Sequence, residues 1–403
     1  MKVEINKERI DYLLALYRMS EESLLSILNE GRKRKIQKDN ILCNVIDLSL
    51  LKKVDKIFDK GLDFYTDFSP LTTSKSNSIL FRKSKFGIDL NNESIRTVHR
   101  FETLKQTIDA YNKLSKLNIQ PNIAHYSIKD NPIEIAHIAR NYFYPGNIKD
   151  TKKFLVAMIN KCAEHNVFVF EYIESWNKKE KTNIDGFYLK PNMIVLKRHK
   201  HYKREIFTLA HELGHYMLGK EEVEQVDIAN IESGNQLSIV EKWCNDFAYH
   251  FIMGESVKEL EIISKVNAEH DYYMDYIANI SNRIHISKLA IFTRLYIDKK
   301  MNFNQYNIIK NNLIQEYQER KEKEKSQKEK RFGMPPKPIL SPLFLKSMQY
   351  AYFKGIVNEM TFCKRLNIKP EKFEKHYGNS NRYLFVGSNG KILFAIRYKW
   401  NIN

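Results

Sequence analysis

The sequence predicts an α+β fold, mainly helical and with one small sheet, and three observations point there. Apolar residues recur at helical spacing along most of the 403 residues, as at Ile10, Leu13, Leu14 and Tyr17. The period changes in "NVFVFEYI", "GFYLK" and "MIVLKR", which are short, β-branched and aromatic. Polar and charged stretches then separate the periodic segments. With 43% hydrophobic and 12% aromatic residues there is material for substantial cores, which excludes global disorder.

From the N-terminus, one helix carries Ile10 to Tyr17 and a second opens at "SEES", where Ser20 offers an N-cap followed by early acids. Two short helices joined in this way begin a helix-turn-helix. After the basic run "GRKRK", the stretch "LLKKVDKIFDKGLDFYTD" reads as an amphipathic helix stopped by Gly61, and residues 1–70 as a small helical domain. The polar "PLTTSKSNS" is a linker into "ILFRK", and a helical connection from about Asn92 to Leu117 completes residues 71–129.

Residues 130–300 form the predicted central domain. Its helices run through "IEIAHIARNYF", ended by Pro145 and Gly146, and from about Asp150 to His165. The three strands follow, with "KPN" as a hairpin turn between the last two. Helices return from Tyr202 to Gly219 and from Ser238 to Gly254. Residues 301–342 hold the charged "EYQERKEKEKSQKEKR", a solvated helix or linker, before "GMPPKP" breaks the chain. In residues 343–403 a helix-turn-helix-like pair precedes a hairpin whose turn is Asn389-Gly390.

Lysine and arginine outnumber acids by 66 to 48, giving a net charge of +18 that favours acidic partners. The surplus is spread along the chain, which favours a solvated surface over a dedicated nucleic-acid face, and charge alone does not decide whether DNA is a partner. Four cysteines, Cys43, Cys162, Cys244 and Cys363, lie far apart without a CxxC pair, which excludes a disulfide framework or thiolate zinc site and suits a reducing cytoplasm. No leader-like apolar segment opens "MKVEINKERIDY", and no stretch has the roughly 18 apolar residues of a membrane span.

The chemistry concentrates in "TLAHELGH". Four residues apart on a helix, His211 and His215 project from one face and can share a metal ion. Glu212 beside them is placed to take a proton from water activated by zinc. Because HExxH arises by chance on the order of a few per cent of the time in such a chain, context has to decide. Phe207, Ala210, Gly214 and Leu218 supply a packing face, so the helix is expected to rest on a core and present its histidines to a cleft. In "LSIVEKWCNDFAYHFIM", Glu241 sits at the margin of an apolar stripe of Val240, Cys244, Phe247 and Phe251, where a carboxylate is unusual unless paired or metal-bound. Glu241 is therefore the expected third ligand, with Asp246 as runner-up. Asn245 suits holding a ligand in orientation, and Tyr249 and His250 are further candidates for reaching an oxyanion.

The pattern "REIFTLAHELGHYMLG", with Glu241 following His215 by 26 positions in "VEKWCNDFAYHFIM", resembles the ImmA/IrrE-type zinc metallo-endopeptidases. The likeness extends upstream through "DGFYLKPNMIVLKR" and covers roughly residues 130–300. It implies a zincin-like metallopeptidase core, zinc held by His211, His215 and Glu241, and Glu212 as general base. Asn245, Phe247, Ala248 and Met253 match the family's E-x-x-x-N-x-F-A-x-x-L-x-M-P pattern, Gly254 stands where that pattern has proline, and Arg204 and Phe207 match upstream. Gly254 is expected to alter the helix exit, not the metal.

Members often carry an N-terminal repressor-type helix-turn-helix, which residues 1–70 resemble in a weathered form without a legible third helix, and "KGIVNEMTFCKRLNIKPEKF" is similar to the tail of longer members. The resemblance further implies a protein substrate, a helix-turn-helix transcriptional repressor of a mobile element or stress regulon. "MIVLKR" is expected at a sheet edge where an extended substrate pairs. The alternative is a DNA- or partner-binding regulator or toxin-antitoxin component in which the zinc site is structural or regulatory.

Overall fold

The computed structural model describes residues 1–30, 32–58, 60–71, 90–174, 180–199, 201–221, 238–327, 337–368, 384–386 and 392–394. They fall into two compact units, the first Met1–Leu104 with Lys179–Asn183, the second Lys105–Lys178 with Ile184–Asn403.

In the first unit β1 (Lys2–Glu4) precedes α1 (Lys7–Leu16) and α2 (Glu21–Asn29), and β2 (Val45–Asp47) precedes α3 (Leu48–Phe58) and α4 (Leu62–Thr66). Ser20 caps α2 as its sequence predicts, its Oγ accepting from the Ser23 N–H at 3.1 Å. Among the described residues between α2 and β2 the one helical element is a 3-10 turn at Lys38–Asn40. The unit is not wholly helical, because β1 and β2 pair antiparallel with Val3 opposite Ile46. Ile46 is buried while Val45 is half exposed, but strands of three residues are too short for that alternation to be read in advance. The α3 helix ends before Gly61, whose φ of +85° instead starts α4. Most of "PLTTSKSNS" and all of "ILFRK" lie outside the described residues. The long α5 (Asn92–Leu114) follows.

The second unit carries α6 (Pro132–Phe143) and α7 (Thr151–Glu164), each begun by a capping side chain, Asn131 and Asp150. The predicted strands form one sheet of β3 (Phe168–Tyr172), β4 (Gly186–Leu189) and β5 (Met193–Lys197). Its order is β3-β5-β4, with β3 parallel and β4 antiparallel to β5. "MIVLKR" is thus the central strand and not the expected edge; β3 and β4 are the edges. Nearly every strand residue is buried, which is why these segments show continuous apolar runs and little alternation.

Against this sheet packs α8 (Tyr202–Leu218), and against α8 packs α9 (Ile239–Met253), which also meets α6. Gly219 ends α8 in the left-handed conformation at φ +56°, and the Lys220 N–H returns to the His215 carbonyl. The apolar face predicted for α8 underestimates its burial. From Glu205 to Leu218 every residue is buried except Phe207, so α8 is a central helix enclosed by sheet and helices. Gly214 permits this closeness, since a Cβ there would lie 3.2 Å from both Cα and Sγ of Cys244.

Beyond α9 come α10 (Val257–Glu261), α11 (Met274–Arg283), α12 (Lys288–Ile297) and α13 (Phe303–Gln327). The charged stretch is helical as far as Gln327, and residues 328–336 lie outside the described part. The C-terminal pair is α14 (Pro342–Phe353) and α15 (Glu359–Leu366). Strands β6 (Leu384–Val386) and β7 (Ile392–Phe394) pair antiparallel as the hairpin reading predicts, with the Asn389-Gly390 turn itself outside the described residues.

Candidate metal centre

Helical spacing places His211 above His215, and the N-terminal turn of α9 brings Glu241 to both. Ser238 starts that helix, its Oγ accepting from the Glu241 N–H at 3.1 Å, so the capping bond fixes the backbone from which the carboxylate projects. Glu241 Oε2 lies 3.0 Å from His211 Nε2, Glu241 Oε1 lies 3.1 Å from His215 Nε2, and the two Nε2 atoms are 3.1 Å apart. All three side chains are buried, at 2%, 1% and 2% exposure for His211, His215 and Glu241.

These spacings fit a metal ion. Tetrahedral ligands about 2.0–2.1 Å from zinc are about 3.3 Å from one another, close to the separations seen. Two imidazole nitrogens facing each other at 3.1 Å cannot both carry a proton toward the other, whereas two lone pairs converge naturally on a cation. A carboxylate with two neutral imidazoles is also the donor set of a catalytic zinc site with a fourth position left open.

Neighbouring groups set the orientation and charge of the ligands. His211 Nδ1 lies 3.0 Å from Asn245 Oδ1; with the proton on Nδ1 this bond forms and Nε2 keeps its lone pair for the centre. Burial opposes charge on Glu241, yet His211 and His215 hold its pKa far below the ordinary carboxyl value. Burial likewise opposes a charged His215, but the Glu241 carboxylate beside it carries its pKa above the ordinary value. Burial raises the Cys244 thiol to about 11, so it remains protonated against the His215 ring.

Glu212 is 3% exposed, and burial pushes its pKa up to about 7 against the pull of His215 and His211. Its carboxylate stands against β4 at Gly186: a Cβ on Gly186 would lie 2.6 Å from Thr208 Cγ2 and 3.1 Å from Glu212 Oε1. The strand therefore touches the acid-base candidate through a residue without a side chain.

Other candidates lie elsewhere. Asp246 forms an ion pair with Arg294, which occupies the runner-up ligand. Tyr249 and His250 are two turns beyond Glu241, on the order of 12 Å along α9, with the Arg294 guanidinium over the Tyr249 ring. Sequence reading did not find the polar support beneath α8. Asp185, just before β4, pairs with Arg204 and lies 3.1 Å from His199 Nε2; burial would raise its pKa, but His199 and Arg204 hold it below the ordinary value. At the start of α8 the buried Glu205 accepts from Arg198 at 2.7 Å and from the His199 N–H at 2.9 Å. Glu171 on β3 reaches the same Arg198 at 3.9 Å. The available signals were Glu205 directly after the basic run "KRHKHYKR" and Glu171 inside the apolar run "FVFEY".

A buried HExxH helix that takes a carboxylate from the following helix and rests on a small mixed sheet defines a zincin-like core, the architecture of a metallopeptidase. Residues 162–296 match the family model of the IrrE N-terminal-like domain of the M78 peptidases, which supports an ImmA/IrrE-type reading of that segment. The comparisons with curated proteins and with solved structures returned no match.

Proposed function

We propose that the protein is a cytoplasmic zinc-dependent endopeptidase whose substrate is a helix-turn-helix transcriptional repressor. The observation that carries the reading is the convergence of His211, His215 and Glu241 within 4.8 Å, with buried Glu212 on the same helix. Zinc at that point would supply Lewis-acid polarisation of the scissile carbonyl and activation of water.

The chain's own residues do the rest. Glu212, with a pKa near 7, is poised to take the proton from water and return it to the leaving amine at neutral pH. Asn245 keeps His211 in the tautomer that leaves Nε2 available. Edge strand β4, which carries Gly186 against Glu212, is the place for an extended substrate to add its backbone, in place of central β5. No helix among the described residues is long and apolar enough to cross a membrane, in keeping with a protein substrate met in the cytoplasm.

Incubating the purified chain with a repressor encoded beside it, with and without chelator, tests the reading. Cleavage that needs zinc and disappears in Glu212→Gln, while that variant still binds zinc, is the expected result. Equal cleavage by Glu212→Gln sinks the mechanism, and full zinc retention by Glu241→Ala removes the third ligand. DNA binding that survives both substitutions without any cleavage favours the regulator.

A further inference from the structure

A groove of about 1250 Å³ runs along the N-terminal half of α8, immediately upstream of the metal-ligand pair, and is walled by α11, the start of α12 and one face of α13. Five cationic side chains line it, Lys203, Arg204, Lys288, Lys310 and Arg320, against one carboxylate, Glu316. Glu316 is already engaged with Lys288 at 3.1 Å, and Arg204 with Asp185.

Lys203 stands out. Its ammonium donates to Ser281 Oγ and Asn282 Oδ1, both at 2.9 Å, and both acceptors are neutral. Among the described residues no carboxylate pairs with it. Burial, and then the charge of Lys288, lower its pKa to about 8. A half-buried cation held by neutral groups and facing a second cation is electrostatically incomplete, and an incoming carboxylate relieves both the desolvation and the repulsion. Tyr202, Phe207 and Tyr317 add apolar surface along the same walls, and the His201 and Tyr317 rings meet edge to face at 5.1 Å.

The groove also has a direction. Thr208 lines its end, and Thr208 and Glu212 flank the same point of β4, Gly186. Lys203 and His211 stand eight positions apart on α8, so one helix carries both the groove wall and the candidate metal centre. We propose that this groove binds an acidic segment of the peptide substrate, setting the enzyme's preference for substrates with Glu or Asp flanking the scissile bond. This rests on the peptidase reading above, and continuity with the catalytic helix favours a peptide over a nucleic acid as the anion.

Binding, not cleavage, tests it. The full chain carrying Glu212→Gln is titrated with a fluorescein-labelled Glu-rich peptide, with its Gln-for-Glu counterpart, and with a single-stranded oligonucleotide as competitor. The acidic peptide is expected to bind about tenfold tighter than the Gln peptide at low salt. That preference should vanish in Lys203→Gln/Lys310→Gln and return in part with Lys203→Arg, while zinc content and melting temperature report that each variant is folded. Equal binding of the two peptides, binding of neither, or retention of the preference in the double variant overturns the proposal. Displacement of the acidic peptide by a more tightly held oligonucleotide overturns it in favour of nucleic acid. Charge-selective binding by Glu212→Gln when the wild-type chain cleaves nothing defeats the peptidase reading instead; wild-type cleavage without charge preference defeats the groove alone.

Discussion

Asn245 Oδ1 lies 3.0 Å from His211 Nδ1, one turn beyond Glu241 on α9, so a single helix supplies both a proposed metal ligand and the group proposed to orient another. Asn245→Leu removes the acceptor without changing any ligand. Zinc affinity should fall by about 10–100-fold, as it does when outer partners of ligating histidines are lost. Competition with a chromophoric chelator measures this; Asn245→Asp, which keeps an acceptor oxygen, should lose less. Unchanged affinity in Asn245→Leu means the bond has no orienting role.

Gly186 is the residue of β4 that lets the strand approach Glu212. In Gly186→Ala the new methyl would meet Thr208 Cγ2 at 2.6 Å and the Val195 carbonyl and Glu212 Oε1 at 3.1 Å, so strand and helix must separate or the carboxylate must turn. Overpacking of this kind costs about 1–3 kcal/mol. Thermal denaturation should show that loss, and kcat against a cleaved repressor should fall while zinc stoichiometry stays constant, because the methyl reaches the acid-base group and not the ligands.

Gly254 occupies the position where the ImmA/IrrE pattern has proline, and its conformation gives the reason. Its φ of +51° and ψ of −134° are closed to proline. The Arg140 guanidinium, stacked over Tyr144 at 3.6 Å and donating to the Phe251 and Ile252 carbonyls, fills the space where a Cβ would be. Gly254→Pro should cost about 3 kcal/mol or more, visible as a lowered melting temperature. Glu241 lies on the order of 20 Å away along α9, so the folded fraction should still bind one zinc.

Much of the site was legible because it depends on local regularity. His211 and His215 meet through the helical repeat alone, and strands β3, β4 and β5 were marked by β-branched runs bounded by polar turns. Ser238 and Gly254 delimit α9 as read, because a cap needs only one side chain or one unusual φ. What escaped were relations between distant segments. The order β3-β5-β4 depends on where the chain returns after β3, which no period of two encodes, and so β5 was expected at the edge. The pairing of the buried acids Glu171 and Glu205 escaped because they are 34 residues apart, Glu171 between Phe170 and Tyr172 and Glu205 after Arg204.

Glu171 and Glu205 also predict a pH dependence. Glu171 Oε2 accepts from the Ile339 N–H at 2.7 Å, and Glu205 Oε1 accepts from Arg198 and the His199 N–H. The remaining oxygens, Glu171 Oε1 and Glu205 Oε2, have no donor among the described residues, and a proton held between the carboxyls supplies one. Burial first, and then the charge and hydrogen bond of Glu171, push the Glu205 pKa up to about 9 despite Arg198. Between the ordinary value of 4.5 and about 9 the folded chain therefore holds a proton that the unfolded chain has released. This contribution to stability is complete below the unfolded value and is lost as pH rises toward the folded one. In Glu205→Gln the amide oxygen can keep the bonds from Arg198 and His199, and the amide N–H takes the place of the shared proton toward Glu171, without any titration. The wild-type melting temperature should fall as pH is raised from about 5 to about 9, and the variant's should fall less, leaving Glu205→Gln the more stable form at alkaline pH. Parallel melting curves across that range would show that the two carboxyls do not share a proton.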